Sequence, residues 1–263
     1  MHPEDARTAL EQFLLRELPQ AVPLSTYQPF DLPAIVSFEL DDDLEQPPGE
    51  VLHITAERAA RIFELVFGPE DRGWVCVVQH GALQAVLAEP LTLEDVLVDG
   101  RVDVDAFVPQ PVRRPDPGDL SVLLDALPPA ARELVSVRHG HTPLTDPAYE
   151  GLTDEEGVPY VDVVVRVRPR DLDYRSLIRA VVNQDFPEEG RTRLIAWLFV
   201  VNEDRPALFD LPDDRYCGVA MPDVDALRPV YECGLAPLNS YRRPEMEQAF
   251  GSWPEPPSAA APP

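Results

Sequence analysis

Two apolar runs, residues 194–201 and 207–211, flank the polar break Asn202-Glu203-Asp204-Arg205-Pro206. Strand-length apolar runs joined by so short a break fold as an antiparallel pair, because a parallel return needs a crossover of a dozen or more residues. The second run leads into Asp213-Asp214-Arg215-Tyr216-Cys217, so charged side chains stand tightly at the end of a strongly apolar hairpin. The chain must therefore build a sheet with antiparallel pairing and carry polar chemistry at one end of it.

The other periodicities supply partners for that hairpin. Ala9, Leu10, Phe13, Leu14 and Leu18 recur at helical spacing and predict a helix over residues 6–18. Residues 34–40 read as a strand, with Val36, Phe38 and Leu40 on one face. Pro47-Pro48-Gly49 reads as a turn, residues 51–54 as a short strand, and Thr55 as the N-cap of a helix over 56–67. Residues 74–79 are a strand with little polar interruption, which places it centrally. The stretch 83–114 and the Pro-rich 109–117 have no clear period and mark an insertion or soft boundary. Short helices are predicted at 119–127 and 129–137, and a polar loop over 139–157. Residues 160–168 alternate strictly, with Val161, Val163, Val165 and Val167 opposite Asp162, Arg166 and Arg168. A helix capped by Asp173 carries Tyr174, Leu177, Ile178, Val181 and Val182 on one stripe and stops at Asn183-Gln184-Asp185-Phe186-Pro187. Further helices are expected at 224–231, capped by Asp223, and from Pro244 to Phe250.

Helices and strands do not alternate in a βαβ rhythm, and tight strand–strand connections occur. The expected class is α+β, a mainly antiparallel sheet with flanking helices. The chain divides into an N-terminal α+β half (1–117), a C-terminal α+β half with the hairpin (118–252), and a Pro/Ala-rich tail (253–263) expected to be disordered.

Composition excludes several chemistries. All 22 basic residues are arginine, so there is no Schiff-base lysine and no Walker-type phosphate lysine. No Gly-rich phosphate loop follows a strand, and 13 glycines give a dinucleotide fold little support. The formal charge of −25 repels phosphate backbones and anionic lipid, so neither nucleic acid nor a membrane is an expected partner, whereas a basic protein is attracted. The same acidity also fits a simple solubility role or a GC-rich coding bias. Cys76, Cys217 and Cys233 are too few and scattered for a disulfide framework, which favours reduced thiols and a cytoplasmic setting. The first residues show neither the basic nor the apolar region of a secretion signal, and no apolar run reaches transmembrane length.

The candidate sites are few. Asp213 and Asp214, with Asp210 and Glu203, are oxygen ligands suited to a hard divalent cation, and Arg215 is suited to an anionic substrate; the alternative is a turn whose acids accept from backbone N–H groups and pair with Arg215. Cys217 is a candidate thiol only if Arg215 shares its face; otherwise it is a small core residue. His139 and His141 form an H-x-H pair whose imidazoles would share one side of an extended segment, a weak metal pair to which Asp213 is the added candidate. Arg166, Arg168, Arg170 and Arg175 form one basic cluster that either binds an anion or neutralises neighbouring acids. No cofactor is expected beyond a possible divalent cation.

Asn183-Gln184-Asp185-Phe186, the strand over 197–202, Asp213-Asp214-Arg215, Cys217 and then Leu227, Pro229 and Tyr231 follow one another as in a known family, closed by Tyr241, Arg243 and Phe250. Phe38-Glu39-Leu40, Arg58-Ala59, Ile62-Phe63 and Phe67 extend the likeness toward the N-terminus. Over most of residues 34–250 the chain resembles a bacterial family of uncharacterised proteins, a domain of unknown function with a C-terminal Tyr-Asp-Asp-Arg-Gly-Cys-Asp-like signature. It departs from that signature at Pro212, Tyr216 and Gly218, and further on at Pro237 and Arg242. A three-acid site implied by the resemblance would lack its third member here.

Two functions are compatible with these residues. One is a protein-binding module, immunity- or inhibitor-like, that captures a basic protein. The other is a metal-dependent hydrolase or transferase that uses Asp213 and Asp214.

Overall fold

A computed structural model describes residues 3–21, 35–40, 48–80, 97–98, 101–102, 120–142, 158–184, 192–240 and 242–252. The expectations for residues 41–47, most of 83–114, the Pro-rich 109–117, Asp185-Phe186 and the tail 253–263 lie outside the described residues. The elements in chain order are α1 (Pro3–Glu17), β1 (Ile35–Glu39), α2 (Pro48–Val66), β2 (Gly73–His80), β3 (Leu97–Val98), β4 (Arg101–Val102), α3 (Ser121–Ala126), α4 (Pro129–Arg132), β5 (Ser136–Thr142), β6 (Val158–Val167), α5 (Tyr174–Val182), β7 (Trp197–Asn202), β8 (Ala207–Leu211), β9 (Tyr216–Ala220), α6 (Val224–Tyr231) and α7 (Arg243–Phe250).

Seven strands form one sheet in the order β1-β9-β8-β7-β2-β6-β5, every pair antiparallel; β3 and β4 form a small separate hairpin. The expected class, α+β with a mainly antiparallel sheet, is the one observed. The halves 1–117 and 118–252 both feed this sheet: β1 and β2 come from the first, and β2 lies between β7 and β6 of the second.

Both faces of the sheet are covered, which explains the unbroken apolar runs. Along β2, Val75 and Val77 point into one core and Trp74, Cys76 and Val78 into the other, as the two-residue period requires. The larger core joins Val36, Phe38, Val163, Phe209 and Val219 to residues of α2, α3, α5, α6 and α7. On the opposite face α1 places Leu10, Phe13 and Leu14, and Leu18 just past its end, against Trp74, Val164, Phe199 and Val201. Burying each such side chain stabilises the fold by about 1.5–3 kcal/mol before chain entropy is subtracted.

Expectations in two regions, residues 47–55 and residues 129–142, are corrected. The turn at Pro48 and the strand over 51–54 do not form, because α2 begins at Pro48 and runs through them. Proline fits the first turn of a helix, where its missing N–H has no partner to lose. Leu52, Ala56, Ala59, Ile62 and Phe63 then share the stripe that fills the core. Thr55 lies within this helix, and its hydroxyl donates to Leu40 O at 3.4 Å rather than capping a start. The helix expected over 129–137 stops at Arg132, and the loop expected from residue 139 is instead β5, an edge strand paired with β6. Pairing with the strongly alternating β6 overrides the polar look of Arg138-His139-Gly140-His141.

The hairpin of β7 and β8 forms as expected. Asn202 holds its turn: Oδ1 accepts from the N–H groups of Asp204 (3.0 Å) and Arg205 (2.9 Å), while Nδ2 donates to Val66 O (3.0 Å) and Asp71 Oδ2 (2.7 Å).

Candidate functional site

Buried polar side chains gather where β8 ends, β9 begins and β1 ends. Asp213, Asp214, Gln184 and Asn239 are all buried there. Gln184 lies just past α5, whose first turn is capped by Asp173 accepting from Ser176 N at 3.1 Å. Its Nε2 donates to Pro212 O (2.6 Å) and its Oε1 accepts from Ala196 N (3.2 Å), so one amide clamps the exit of β8 to the entry of β7. Beside it, Asn183 Nδ2 donates to Thr192 O at 3.1 Å.

The Asp213-Asp214-Arg215 bend follows. Asp213 Oδ1 accepts from Arg215 N at 2.9 Å, and its Oδ2 accepts from Arg215 Nε at 2.9 Å and pairs with Nη2. Asp214 is buried beside it and is likewise engaged. Arg215 O accepts from Leu40 N at 2.8 Å, and Leu40 O accepts from Arg58 Nη1 at 2.8 Å. The end of β1 therefore joins the bend to α2. On its outer side β1 is closed by the segment around Leu238: Glu39 N donates to Pro237 O (2.8 Å), Asn239 N to Ser37 O (2.9 Å), and Ser240 N to Glu39 Oε1 (2.8 Å).

Asp210 is placed differently. It faces the α1 side of the sheet, opposite Phe199 on β7 and Gly218 on β9. It is buried, and neither carboxyl oxygen makes a well-formed hydrogen bond. Desolvation pushes its pKa up to about 7; the nearby backbone N–H groups of Gly218 and of Asp210 itself oppose that rise only in part. Tyr216, two residues before Gly218, is pushed up to about 12 by burial first and then by the charges of Asp213 and Asp210.

These placements decide what the candidates can do together. Glu203 is at the opposite end of the hairpin, paired with Arg166, so it does not join Asp210, Asp213 and Asp214. Cys217 is fully buried in the larger core, and burial, then the charges of Asp210 and Cys233, raise its thiol pKa well above the ordinary value. Its charged neighbours are acids rather than an arginine, the reverse of what a nucleophilic thiolate needs. His139 is exposed on β5, and the side chain of His141 lies outside the described residues. Between β5 and the bend stand β6, β2 and β7, a separation of roughly 20 Å at ordinary strand spacing. His139 and Asp213 therefore cannot share an ion. Among the described residues no group of three or more His, Cys, Asp or Glu side chains is arranged to hold a metal.

The basic cluster is internally neutralised. Arg166 pairs with Glu203, Arg170 with Glu70 (2.5 Å), and Arg175 with Glu57 (2.8 Å) and Glu64 (2.5 Å) across α2 and α5.

A second buried network is not apparent from residue patterns. Arg7 on α1 pairs with Asp162 on β6 and donates from Nε to Ser136 Oγ at 3.2 Å. Arg138 also reaches Asp162 Oδ2 (2.8 Å) and Glu11 (3.0 Å), so α1 is fastened to β5 and β6 by charge as well as by leucines. The one signal in the sequence is an aspartate among the valines of β6. Asp210, alone among apolar residues in β8, gives the same signal.

Residues 128–233 match the profile of a domain of unknown function, DUF3885. That stretch supplies β5 to β9, while β1 and β2, which complete the sheet, lie outside it. The chain is also similar to the uncharacterized protein YnaE of Bacillus subtilis (strain 168), 36% identical over 69 residues, which is 25% of this chain and 32% of that protein. The chain thus spans about a third of the length of the curated relative it matches. No solved structure matches. Among the described residues no helix is long and apolar enough to cross a membrane.

Proposed function

We propose that this chain is an acidic protein-binding module, immunity- or inhibitor-like, that captures a basic protein and performs no catalysis. The observation that carries the reading is the charge of −25 together with the internal use of its arginines: Arg7, Arg138, Arg166, Arg175, Arg205 and Arg215 all pair with acids of the same chain. The field outside the molecule is then dominated by the uncompensated acids. Such a field steers a basic partner and rejects nucleic acid and anionic lipid. The Asp213–Arg215 bend has a structural role in this reading, as the joint between β8, β9, β1 and α2. The resemblance to the signature-bearing family, with its departures at Pro212, Tyr216 and Gly218, a bacterial origin and a reducing cytoplasmic setting for Cys76, Cys217 and Cys233 belong to the same proposal.

The hydrolase or transferase alternative needs Asp213 as a free ligand, and its two oxygens are committed to Arg215. A saturable calorimetric titration with Mg²⁺, Mn²⁺ or Zn²⁺, lost in Asp213→Asn, would restore it.

The test of the binding reading is an affinity pull-down of the full chain from a bacterial lysate at low and high salt. The expected result is a stoichiometric basic partner retained at low salt and released at high salt, because rim charges are screened. Capture that is indifferent to salt overturns the electrostatic basis of the reading.

A further inference from the structure

Asp210 on β8 is 2% exposed, and neither of its carboxyl oxygens makes a hydrogen bond among the described residues. A charge buried in this way is costly unless it is paired. The chain pairs other buried acids: Asp162 with Arg7 and Arg138, and Asp213 with Arg215. The two arginines nearest to Asp210 in sequence, Arg205 and Arg215, are committed to Asp71 and Asp213.

Aromatic rings flank the carboxyl group on its own face of the sheet. Phe199 stands directly opposite on β7. Trp197, two residues earlier and so on the same face, meets Phe199 edge-on with ring centroids 6.4 Å apart. On the other side Gly218 contributes no side chain, and the carboxyl leans over it. Tyr216, two residues before Gly218, shares that face; its hydroxyl, raised first by burial, also feels the charges of Asp213 and Asp210. Phe199 is buried, whereas Trp197 and Tyr216 are half-buried, so the aromatic rim reaches solvent. The titratable groups facing Asp210 among the described residues are Tyr216 on β9, Cys217 behind it on the opposite face, Glu39 on β1, which accepts from Ser240 N, and Asp213 in its pair with Arg215.

From this arrangement we infer that Asp210 is the floor of a cation site that takes a guanidinium group, with Trp197, Phe199 and Tyr216 as its walls. Two unpartnered carboxyl oxygens match the two parallel N–H donors of a guanidinium, and that planar, weakly hydrated cation also stacks on aromatic rings. An ammonium is a more strongly hydrated point charge and fits this setting less well. The site is closed as it stands, and entry requires the half-buried ring of Trp197 or Tyr216 to turn outward. The site stands on its own geometry. That the guanidinium is an arginine side chain of the basic partner rests on the binding reading above.

The probe is N-acetyl-arginine methylamide, titrated into the full chain by calorimetry at low salt and about pH 8, where the buried acid gives up its proton readily. The corresponding citrulline amide is its uncharged isostere, and a serine heptapeptide with a central arginine carries the same group on a peptide. The test variants are Asp210→Asn, which keeps the side-chain shape, and Tyr216→Leu, with folds checked by melting temperature. Asp125→Asn, at an exposed acid on α3, controls for diffuse attraction. Expected are saturable binding of one arginine amide per chain and none of the citrulline amide. Asp210→Asn should bind about tenfold more weakly through loss of the charged pair, Tyr216→Leu about threefold more weakly through loss of a ring, and Asp125→Asn like the parent. The peptide should bind no more weakly than the amide. Binding that survives Asp210→Asn overturns the site and leaves the acidic-module reading in place. No binding of either arginine probe also overturns the site, while the salt-dependent pull-down judges that reading separately. Binding of the amide but not of the peptide makes a free guanidino compound the ligand and overturns the assignment to a protein partner.

Discussion

The carboxyl group of Asp210 on β8 lies directly over Gly218 on β9: a Cβ at position 218 would stand 2.2 Å from Asp210 Oδ1 and 3.1 Å from its Cγ. Glycine is required there by contact rather than by backbone conformation. Gly218→Ala is expected to destabilise the protein by about 1–3 kcal/mol, as overpacking does. Asp210→Ala in the same chain should recover part of the loss. Urea midpoints of the single and double variants measure this, and an unchanged midpoint for Gly218→Ala would show that the close approach is absent.

Asp210 also makes stability depend on pH. Its folded pKa of about 7 lies above the ordinary 3.8, so the folded state prefers the protonated acid. The favourable contribution is full below the unfolded pKa and is lost as pH rises through about 7. Asp210→Asn should remove this dependence and stabilise the protein above pH 7 by on the order of a few kcal/mol. Melting temperatures of both proteins from pH 4 to about 8.5 should diverge as pH rises; parallel curves would mean that Asp210 is not a buried neutral acid.

Asp213 holds its bend through both the backbone N–H and the guanidinium of Arg215. Asp213→Ala removes both the acceptor for Arg215 N and the pairing with its guanidinium, with an expected loss of about 0.5–1.5 kcal/mol. Arg215→Ala should cost less, since the side chain is 66% exposed and the backbone bond survives. Equal losses in thermal melts would instead assign the stabilisation to the ion pair.

Arg7 fastens α1 through the buried Asp162. Arg7→Met leaves that carboxylate to Arg138 alone and should cost about 2–4 kcal/mol, near the lower part of the range for breaking a buried pair. Hydrogen exchange should then show α1 opening ahead of the sheet. A variant that melts with the parent protein and shows no early exchange in α1 would make the network dispensable.

Gln79 on β2 is fully buried with neither amide atom hydrogen-bonded. Replacing it with leucine removes an unsatisfied polar group and should raise stability by about 1 kcal/mol. A loss in the urea midpoint would indicate that the amide has a partner in solution, such as an ordered water.

The sequence alone determined the helices, strands and caps whose causes are local. The alternation of β6, the stripe of α5 with Asp173 as its cap, and the β7–β8 hairpin all follow from side-chain period and from turn residues a few positions apart. The likeness of Asp213-Asp214-Arg215 to a self-paired turn was legible for the same reason. Where local preference and packing conflicted, packing prevailed: Val51 to Ile54 look like a strand, yet Leu52 is needed in the stripe of α2, and His139 looks like loop, yet β6 offers it a partner. Only the tertiary structure decided the sheet order, which inserts β2 between β6 and β7 and so keeps His139 away from Asp213. It alone set Asp210 against Gly218 and Arg7 against Asp162. These meetings depend on register and on contacts between residues distant in sequence, and no period or spacing along the chain encodes which strand will lie beside which.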